Sequence, residues 1–361
     1  MIKLLTIIGA RPQIIKAAAI SRAIRTKFAD QVQEKILHTG QHYDENMSGV
    51  FFNELGIPEP DYNLHVGSGN HGEQTAKMIV GIENVLLSER FDGVIVYGDT
   101  NSTLAAAVAA GKLHVPIYHV EAGLRSFNMA MPEEQNRIVC DHLSTILFAP
   151  TQTAVENLWN EGFQVRGRRE RLQVRGERVF KDGRRQQIVM SGDVMYDNAV
   201  YFAEMAKERR RKEEGRRIEE EGEFVLVTIH RDNNTDDPKR LEAIIRALLT
   251  IADEGHDIVL PLHPRTRKLL PQNLPHQLYD TLINHKKIHI LPPASFFDIL
   301  MLEKHAQVVM TDSGGVQKEA FFFETPCVIL RPETEWVEIV EAGAGILADA
   351  DYDRIIAAIT N

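Results

Sequence analysis

The sequence predicts an α/β protein with two Rossmann-like, doubly wound halves. Two observations support this prediction: short, β-branched apolar runs alternate with helical patterns through the 361 residues, and polar motifs directly follow six of those runs. Runs that are apolar on both faces are typical of parallel strands covered by helices. Because ligands bind beyond the carboxyl ends of such strands, we expect the six motifs to form the functional site.

Each half contains its own series of predicted strands, as expected for a chain long enough to form two domains. The first series consists of "KLLTIIG", "QEKILHTG", "DGVIVYGD", "VPIYHVEAG" and "TILFAPT". The second consists of "EFVLVTIH", "HDIVLPLH", "KIHILPP", "AQVVMTDS" and "TPCVILR". We expect an N-terminal domain over residues 1–190 and a C-terminal domain over residues 191–361, with the last helix packing back on the first domain.

Two charged segments interrupt this pattern. Residues 164–187 are rich in arginine, and the apolar alternation around Val174 and Val179 predicts a β-hairpin excursion. Two interpretations of this insertion remain open: an anion-binding arm and a solvated surface insertion. Residues 207–223 mix charges of both signs, which predicts an exposed helix and its exit.

The composition excludes several classes of protein. Hydrophobic residues make up 43% and charged residues 25% of the chain, as in ordinary soluble globular proteins. A formal net charge of −10 argues against a general nucleic-acid or membrane-surface binder. Cys140 and Cys327 lie in apolar runs without metal-ligand spacing, which indicates buried thiols in a reducing compartment. No apolar stretch is long enough to span a membrane, and we expect a cytoplasmic protein.

The motif "TDSGGVQKEA" at residues 311–320 is the strongest phosphate signal. Ser313 can cap the following helix, while Gly314 and Gly315 allow the backbone to approach a ligand closely. The free N–H groups of that helix then suit a diphosphate. Glu319 could accept hydrogen bonds from ribose hydroxyls, although a lone Ser-Gly-Gly also fits an ordinary capped helix.

A second anion-binding signal opens the chain. After the first predicted strand, "GARPQIIK" places Gly9, Arg11, Pro12 and Lys16 at the first turn of a helix. Two cations at a helix N-terminus suit a phosphate group.

Several carboxylates follow the next predicted strands. Asp99 lies in "YGDTNST", and "HVEAGLRSFNMAMPEEQNR" contributes Glu121, Arg125, Glu133 and Glu134. Taken alone, Asp99 could be a helix cap, and charged helix starts are common. Asp99 and Glu121 nevertheless follow consecutive strands of one sheet and are expected to face one cleft. Several carboxylates around one site are what proton transfer at carbon requires.

The second half contributes histidine and arginine at its strand ends. "TIHRDNN" contains His230 and Arg231, and "LHPRTRK" adds His263 and Arg265. A His-Arg pair that faces a diphosphate would neutralise the charge of a leaving group. The fourteen histidines show no metal-ligand spacing, and no dinucleotide fingerprint is present. We therefore expect no metal and no redox cofactor.

Taken in order, these motifs closely resemble one family. "GARPQIIK", "GDTNST", "VEAGLR", "PEEQNR", "HR", "TDSGGVQKEA" and "ETEW" are similar to the motifs of the non-hydrolysing UDP-N-acetylglucosamine 2-epimerases, from residue 1 to about residue 345. The resemblance implies a GT-B-like fold with the active site in the cleft between two domains. It also implies a homodimer that needs no cofactor or metal.

The resemblance implies roles for individual residues. Arg11 and Lys16 match basic residues that work at the diphosphate and sugar, and His230 matches a histidine that assists departure and return of UDP. Other matches are the catalytic carboxylates Asp99, Glu121 and Glu133; the nucleotide-binding Ser313, Gly314, Gly315 and Glu319; and an arginine of the site, Arg331.

The implied reaction interconverts the gluco and manno epimers at carbon 2 of a UDP-2-acetamido sugar. Partial departure of UDP gives carbon 1 oxocarbenium character, which acidifies the hydrogen on carbon 2. A carboxylate removes that proton, leaving a 2-acetamidoglucal and UDP. Protonation on the opposite face and return of UDP complete the epimerisation, so two proton-transfer groups are required.

Four motifs are similar to one branch of the family. "GQHYD", "SFNMAMPEE", "TIHR" followed by "TDDP", and "ETEWVE" resemble the enzymes that act on UDP-2,3-diacetamido-2,3-dideoxyglucuronate, a precursor of O-antigen sugars. A spare cation such as Arg125, Arg231 or Arg265 would suit the extra carboxylate of that substrate. The chain departs from the family at Gln13 and Asn233, where acidic residues are usual. A GT-B glycosyltransferase that uses a UDP-sugar donor, and a non-catalytic sugar-nucleotide sensor, remain as alternatives.

Overall fold

The chain divides into two compact units, Met1–Asn198 and Ala199–Asn361. The computed structural model describes residues 1–40, 52, 55–163, 175–180, 183, 185–212 and 224–360. Residues 164–174 of the predicted arginine-rich insertion, residues 213–223 and most of "GQHYD" lie outside the described residues.

The first unit contains an eight-stranded sheet in the described residues. Its strand order is β3-β2-β1-β4-β5-β6-β8-β7, and all neighbouring pairs are parallel except β7 with β8. The β7–β8 hairpin at the sheet edge lies where the sequence predicts an excursion. The strands are β1 (Ile2–Ile8), β2 (Val32–His38), β3 (Tyr62–Asn63), β4 (Gly93–Tyr97), β5 (Ile117–Val120), β6 (Ile146–Ala149), β7 (Arg175–Val179) and β8 (Arg185–Met190).

Helices connect the parallel strands of this unit. Side-chain caps fix where two of them begin: the hydroxyl of Thr100 accepts the Thr103 N–H, and that of Thr151 accepts the Ala154 N–H. The described helices are α1 (Arg11–Lys27), α2 (His71–Ser88), α3 (Asn101–Lys112), α4 (Pro132–Leu143), α5 (Gln152–Asn160) and α6 (Val194–Lys212), the last of which runs into the second unit.

The second unit contains a six-stranded, fully parallel sheet in the described residues. Its strand order is β11-β10-β9-β12-β13-β14. The strands are β9 (Phe224–Thr228), β10 (Asp257–Pro261), β11 (Ile288–Leu291), β12 (Val308–Thr311), β13 (Cys327–Ile329) and β14 (Gly345–Leu347). The helices are α7 (Asp232–Thr235), α8 (Pro238–Asp253), α9 (Pro264–Asn273), α10 (His276–Asn284), α11 (Phe296–His305), α12 (Gly314–Phe322), α13 (Val337–Glu341) and α14 (Tyr352–Thr360).

The last described helix, α14, packs within the second unit. Ile355 is fully buried in the same apolar cluster as Leu248 of α8, and the Tyr352 hydroxyl lies 3.0 Å from that of Thr250. The sequence-based expectation placed the final helix on the first domain. The apolar stripe of α14 instead faces the core of its own unit.

The two sheets repeat one topology. Six strands of the first sheet and all six of the second follow the order 3-2-1-4-5-6 of the doubly wound Rossmann fold. The strand order reverses between β1 and β4 in the first unit and between β9 and β12 in the second. This confirms the predicted pair of Rossmann-like halves and marks two places where a ligand is expected to bind.

No helix in the described part of the chain combines the length and the apolar character needed to cross a bilayer.

Gly123 and Gly162 provide a matched test of packing in the first unit, because both have positive φ, at +81° and +88°. A Cβ at Gly123 would lie 2.3 Å from the Ala154 carbonyl oxygen, whereas one at Gly162 would meet nothing within 4 Å. We expect Gly162→Ala to lower the free energy of unfolding by about 1–2 kcal/mol through backbone strain alone. Gly123→Ala should cost a further ~1–3 kcal/mol through overpacking. Urea denaturation measures both, and equal losses would contradict this account.

Candidate functional site

The turn after β1 is fixed by one neutral side chain, Gln13. Its oxygen accepts the main-chain N–H groups of Gly9 at 2.9 Å and Ala10 at 3.2 Å. Its Nε2 donates to the Tyr97 carbonyl oxygen at 3.0 Å and to the Thr103 hydroxyl at 2.9 Å. An ionised carboxylate could not bond to the Tyr97 carbonyl oxygen, because it has no proton to donate. Gln13, which stands where the resemblance leads us to expect an acidic residue, therefore connects the turns after β1 and β4.

The side chains of Lys16 and Glu121 form an ion pair at the carboxyl ends of the first sheet. Gly98, which has φ of +60°, leaves room for them: a Cβ there would lie 3.0 Å from Lys16 Nζ and 3.3 Å from Glu121 Oε2. Glu121 itself has φ of +73°, a conformation that non-glycine residues rarely adopt. Strain of this kind is concentrated at functional sites. The predicted Lys16 and Glu121 thus lie together.

Asp99 is joined to the start of α4 through Arg137. The guanidinium of Arg137 contacts the Asp99 carboxylate at 2.5 Å and the Glu134 carboxylate at 2.8 Å. Glu134 in turn accepts the main-chain N–H groups of Ser126 at 3.0 Å and Phe127 at 2.9 Å. Arg137 was not among the residues predicted from sequence, although "PEEQNR" places it one helical turn after the acidic pair.

Glu133 and Glu134 are adjacent but differ in environment. Glu134 is buried, which opposes its charge, but the N–H groups of Ser126 and Phe127 and the Arg137 guanidinium lower its pKa below the ordinary value. Glu133, the predicted catalytic residue, is only partly buried at the first turn of α4. Glu134 therefore fixes the loop before α4, and Glu133 stays accessible for chemistry.

Arg125 lies in a buried pair of salt bridges, whereas the sequence predicts a contact with the substrate. Its side chain is 1% exposed and contacts the Glu161 carboxylate at 2.7 Å and that of Asp141 at 2.8 Å. Burial opposes its charge, but Glu161 and Asp141 together raise the pKa of Arg125. The predicted substrate contact is corrected to a structural ion pair, because two buried or half-buried carboxylates already occupy the guanidinium.

In the second unit, the carboxylate of Asp312 organises the turn after β9. It accepts the main-chain N–H groups of His230 at 3.1 Å and Arg231 at 3.0 Å, and the side-chain amide of Asn234 at 3.1 Å. The same carboxylate lies 3.3 Å from His230 Nδ1. The other ring nitrogen of His230 therefore remains for a ligand. Partial burial lowers the pKa of His230, and the Asp312 charge opposes that effect.

The N-terminus of α12 lies at the switch point between β9 and β12, as predicted. Ser313 caps the helix by accepting the Val316 N–H at 3.5 Å. A Cβ at Gly314 would lie 2.4 Å from Glu335 Oε1 and would displace that carboxylate, and one at Gly315 would have its nearest neighbour at 3.8 Å. The first N–H groups of such a helix are suited to anions.

Arg331 also lies in this region, after β13. Its guanidinium pairs with Glu335 at 2.9 Å, and both side chains are less than a tenth exposed. Arg11 is exposed and begins α1. Arg231 is half-buried and directly precedes α7. Arg265 pairs with the Asp236 carboxylate at 2.6 Å, and His263 caps α9.

Glu319 of α12 lies against a second buried glutamate, Glu303 of α11. Glu303 is fully buried and Glu319 is 6% exposed. Burial and the negative charge of Glu319 raise the pKa of Glu303 well above its usual value. The raised pKa favours the protonated form of Glu303 beside Glu319. Sequence reasoning missed Glu303, because nothing in the local pattern of α11 distinguishes it from a surface residue.

The fold and these side chains define a class of protein: a GT-B-like nucleotide-sugar enzyme with two Rossmann-like units. Residues 25–361 match the family model described as UDP-N-acetylglucosamine 2-epimerase. The chain belongs to this family, whose members are isomerases that act on UDP-sugars.

Relatives and solved structures agree with that membership. The chain is 47% identical to the UDP-2,3-diacetamido-2,3-dideoxy-D-glucuronate 2-epimerase of Pseudomonas aeruginosa, over 98% of this chain and 90% of that protein. It is 42% identical to the UDP-N-acetylglucosamine 2-epimerase of Methanocaldococcus jannaschii, over 99% and 91%. The crystal structure of a Methanocaldococcus jannaschii UDP-GlcNAc 2-epimerase in complex with UDP-GlcNAc and UDP matches with a TM-score of 0.83 and 41% identity, over 99% of this chain and 92% of that one.

Glu303 provides a test of the buried acid pair. Its raised pKa means that the folded protein keeps a proton that the unfolded chain releases above about pH 4.5. The free energy of unfolding should therefore fall as pH rises above that value, and Glu303→Gln should remove part of this fall. Denaturation at pH 5 and pH 8 measures the difference, with the exposed Glu341→Gln as a control for removal of a surface carboxylate. If the stability of Glu303→Gln relative to the unaltered chain does not rise between pH 5 and pH 8, a protonated Glu303 is contradicted.

Proposed function

We propose that this chain interconverts the gluco and manno epimers at carbon 2 of UDP-2,3-diacetamido-2,3-dideoxyglucuronate. The observation that supports an epimerase is the group of carboxylates at the switch point of the first sheet, where Glu121 pairs with Lys16 and Asp99 pairs with Arg137. The 47% identity to the Pseudomonas aeruginosa enzyme of that name favours this substrate over UDP-N-acetylglucosamine.

Proton transfer is assigned to the first unit. As the bond between carbon 1 and the UDP oxygen breaks, its electron pair leaves with UDP and the hydrogen on carbon 2 becomes acidic. One carboxylate among Asp99, Glu121 and Glu133 accepts that proton and leaves a glucal. A second group returns a proton to the opposite face, and the UDP oxygen adds again to carbon 1. A positively charged Lys16 beside the base stabilises charge that moves during the transfer.

UDP binding is assigned to the second unit. The N–H groups that begin α12, at Ser313, Gly314 and Gly315, would bind the diphosphate. His230, oriented by Asp312, would stabilise the charge on departing UDP, assisted by Arg331. Glu319 would accept the ribose hydroxyls. These roles use the main-chain N–H groups that begin α12 and the side chains of His230, Arg331 and Glu319.

We also propose that the enzyme acts as a homodimer in the cytoplasm and serves the biosynthesis of a surface polysaccharide such as O-antigen. The family resemblance supports these assignments. Light scattering of the purified protein measures the mass in solution, which should be twice that of the chain.

The reaction and its substrate can be tested together in deuterium oxide. Proton NMR of UDP-2,3-diacetamido-2,3-dideoxyglucuronate with the protein should show deuterium entering at carbon 2 and the second epimer appearing. UDP-N-acetylglucosamine should exchange more slowly at equal concentration. No acceptor is added, so exchange distinguishes an epimerase from a glycosyltransferase. Faster exchange of UDP-N-acetylglucosamine would overturn the substrate, and exchange of neither would overturn the reaction.

The carboxylate roles predict the effect of three substitutions. Asp99→Asn, Glu121→Gln and Glu133→Gln should each lower turnover at least ~100-fold, the scale of lost general acid–base catalysis. UDP affinity should be retained, because these groups address the sugar. Glu156→Gln, which alters an exposed glutamate of α5, is the matched control. Near-normal rates in two of the three variants would refute the assignment.

The ribose contact predicts a loss of UDP affinity. Glu319→Ala should weaken UDP binding by roughly 1–3 kcal/mol, because hydrogen bonds to a charged acceptor are lost. Calorimetry with UDP alone measures this, and Glu341→Ala on α13 serves as a control at an exposed position of the same unit. An unchanged affinity in Glu319→Ala would place the ribose elsewhere.

A further inference from the structure

His119, on β5, is a fully buried histidine whose two ring nitrogens both face acceptors. Nδ1 lies 2.7 Å from the Asp141 Oδ1 atom, and Nε2 lies 2.8 Å from the Gly98 carbonyl oxygen. A carbonyl oxygen only accepts hydrogen bonds, so Nε2 must carry a proton. The contact with Gly98 is thus a donated hydrogen bond from the ring to the turn after β4.

The surroundings of Asp141 decide the state of the other nitrogen. Asp141 is fully buried on α4, and its Oδ2 atom accepts the Arg125 guanidinium at 2.8 Å and the Gly123 N–H at 3.1 Å. These donors and His119 lower the pKa of Asp141 although burial opposes its charge. An ionised Asp141 requires a proton on Nδ1 as well. Burial alone would lower the pKa of His119, but its contacts with Asp141 and Cys140 raise it well above the usual value.

Gly98 connects this buried group to the reacting side chains. It precedes Asp99, and its N–H donates to the Val120 carbonyl oxygen at 3.0 Å. The open space beside its Cα holds Lys16 Nζ and Glu121 Oε2. A shift of the Gly98 peptide would therefore move Asp99 and disturb the Lys16–Glu121 pair together.

We propose that His119 is a positioning residue for the epimerisation: its two N–H groups join the Gly98 turn to Asp141 and thereby hold Asp99, Lys16 and Glu121 in their reacting arrangement. This role for His119 rests on the proposed function, in which Asp99, Lys16 and Glu121 take part in proton transfer. His119 itself is buried beneath the turn and acts through Gly98.

Two substitutions separate the two hydrogen bonds. The amide nitrogen of Gln can take the place of Nε2 and keep the bond to Gly98, whereas that of Asn takes the place of Nδ1 and loses it. We expect His119→Asn to lower kcat ~100-fold, the cost of a small misplacement of reacting groups. His119→Gln should retain at least ~10-fold more activity than His119→Asn, since the contact to the turn remains. KM and the Kd for UDP should change less than ~2-fold in both, because UDP binding is assigned to the second unit.

The pH profile separates positioning from a general loss of stability. Both variants remove a positive charge close to Glu121, so the acid limb of kcat/KM should move to higher pH. Glu121 and Lys16 lie beside Gly98, and Asp99 follows it in the chain. Asp141 contacts the other ring nitrogen and pairs with Arg125, and Cys140 also interacts with the ring. His142→Asn, an exposed histidine next to Asp141 on α4, is the control and should keep wild-type kcat and pH profile. Equal kcat for His119→Asn and the control would overturn the proposal. Equal losses of kcat in His119→Asn and His119→Gln would also overturn it.

A measurement on the unaltered chain applies even where the variants do not fold. NMR of protein labelled with ¹⁵N-histidine should show one imidazole, assigned to His119 by its contacts, with both nitrogens protonated at pH 7. A neutral ring at pH 7 would overturn the proposal whatever the activity. Loss of the proposed function is recognised separately, since the unaltered enzyme would then show no exchange at carbon 2.

Discussion

The cost of removing a carboxylate from water determines the shape of both candidate sites. A buried carboxylate is tolerated only when donors surround it, and here many of the donors are main-chain N–H groups of the turns. Asp141 accepts from Gly123 in the first unit, and Asp312 accepts from His230 and Arg231 in the second. Glu134 does the same for the loop before α4. Each buried charge thus fixes the loop that presents the exposed functional groups.

Much of the fold could be predicted because its signals are local. Apolar runs marked the strands, and the motifs after them marked the carboxyl ends at which Glu121 and Ser313 lie. The partners of Arg125 could not be predicted, because its guanidinium contacts Glu161, 36 residues away, and Asp141 on another helix. The sequence pattern does not distinguish an arginine in an internal ion pair from one that binds a substrate. Only the three-dimensional arrangement separates them.

Gln13 and Glu303 show that the surroundings of a side chain determine what it does. Gln13 accepts two main-chain hydrogen bonds and donates one to the Tyr97 carbonyl oxygen, which an ionised acid could not donate. Glu303 is an acid whose pKa is raised by burial and by the negative charge of Glu319, which favours its protonated form. The chemical name of a side chain therefore predicts its role less well than the number of donors and acceptors around it.

The pairing of Arg331 with Glu335 has a consequence for which anions the second unit can select. Because Glu335 already balances that arginine, the start of α12 offers hydrogen-bond donors of fixed direction more than a surplus of positive charge. A flexible polyanion would gain little there, since it is attracted by charge and not by direction. A compact phosphate, whose tetrahedral oxygens can match several N–H groups at once, gains from each of them. Discrimination at this turn is accordingly stereochemical, and it should persist in concentrated salt, where simple charge attraction is screened.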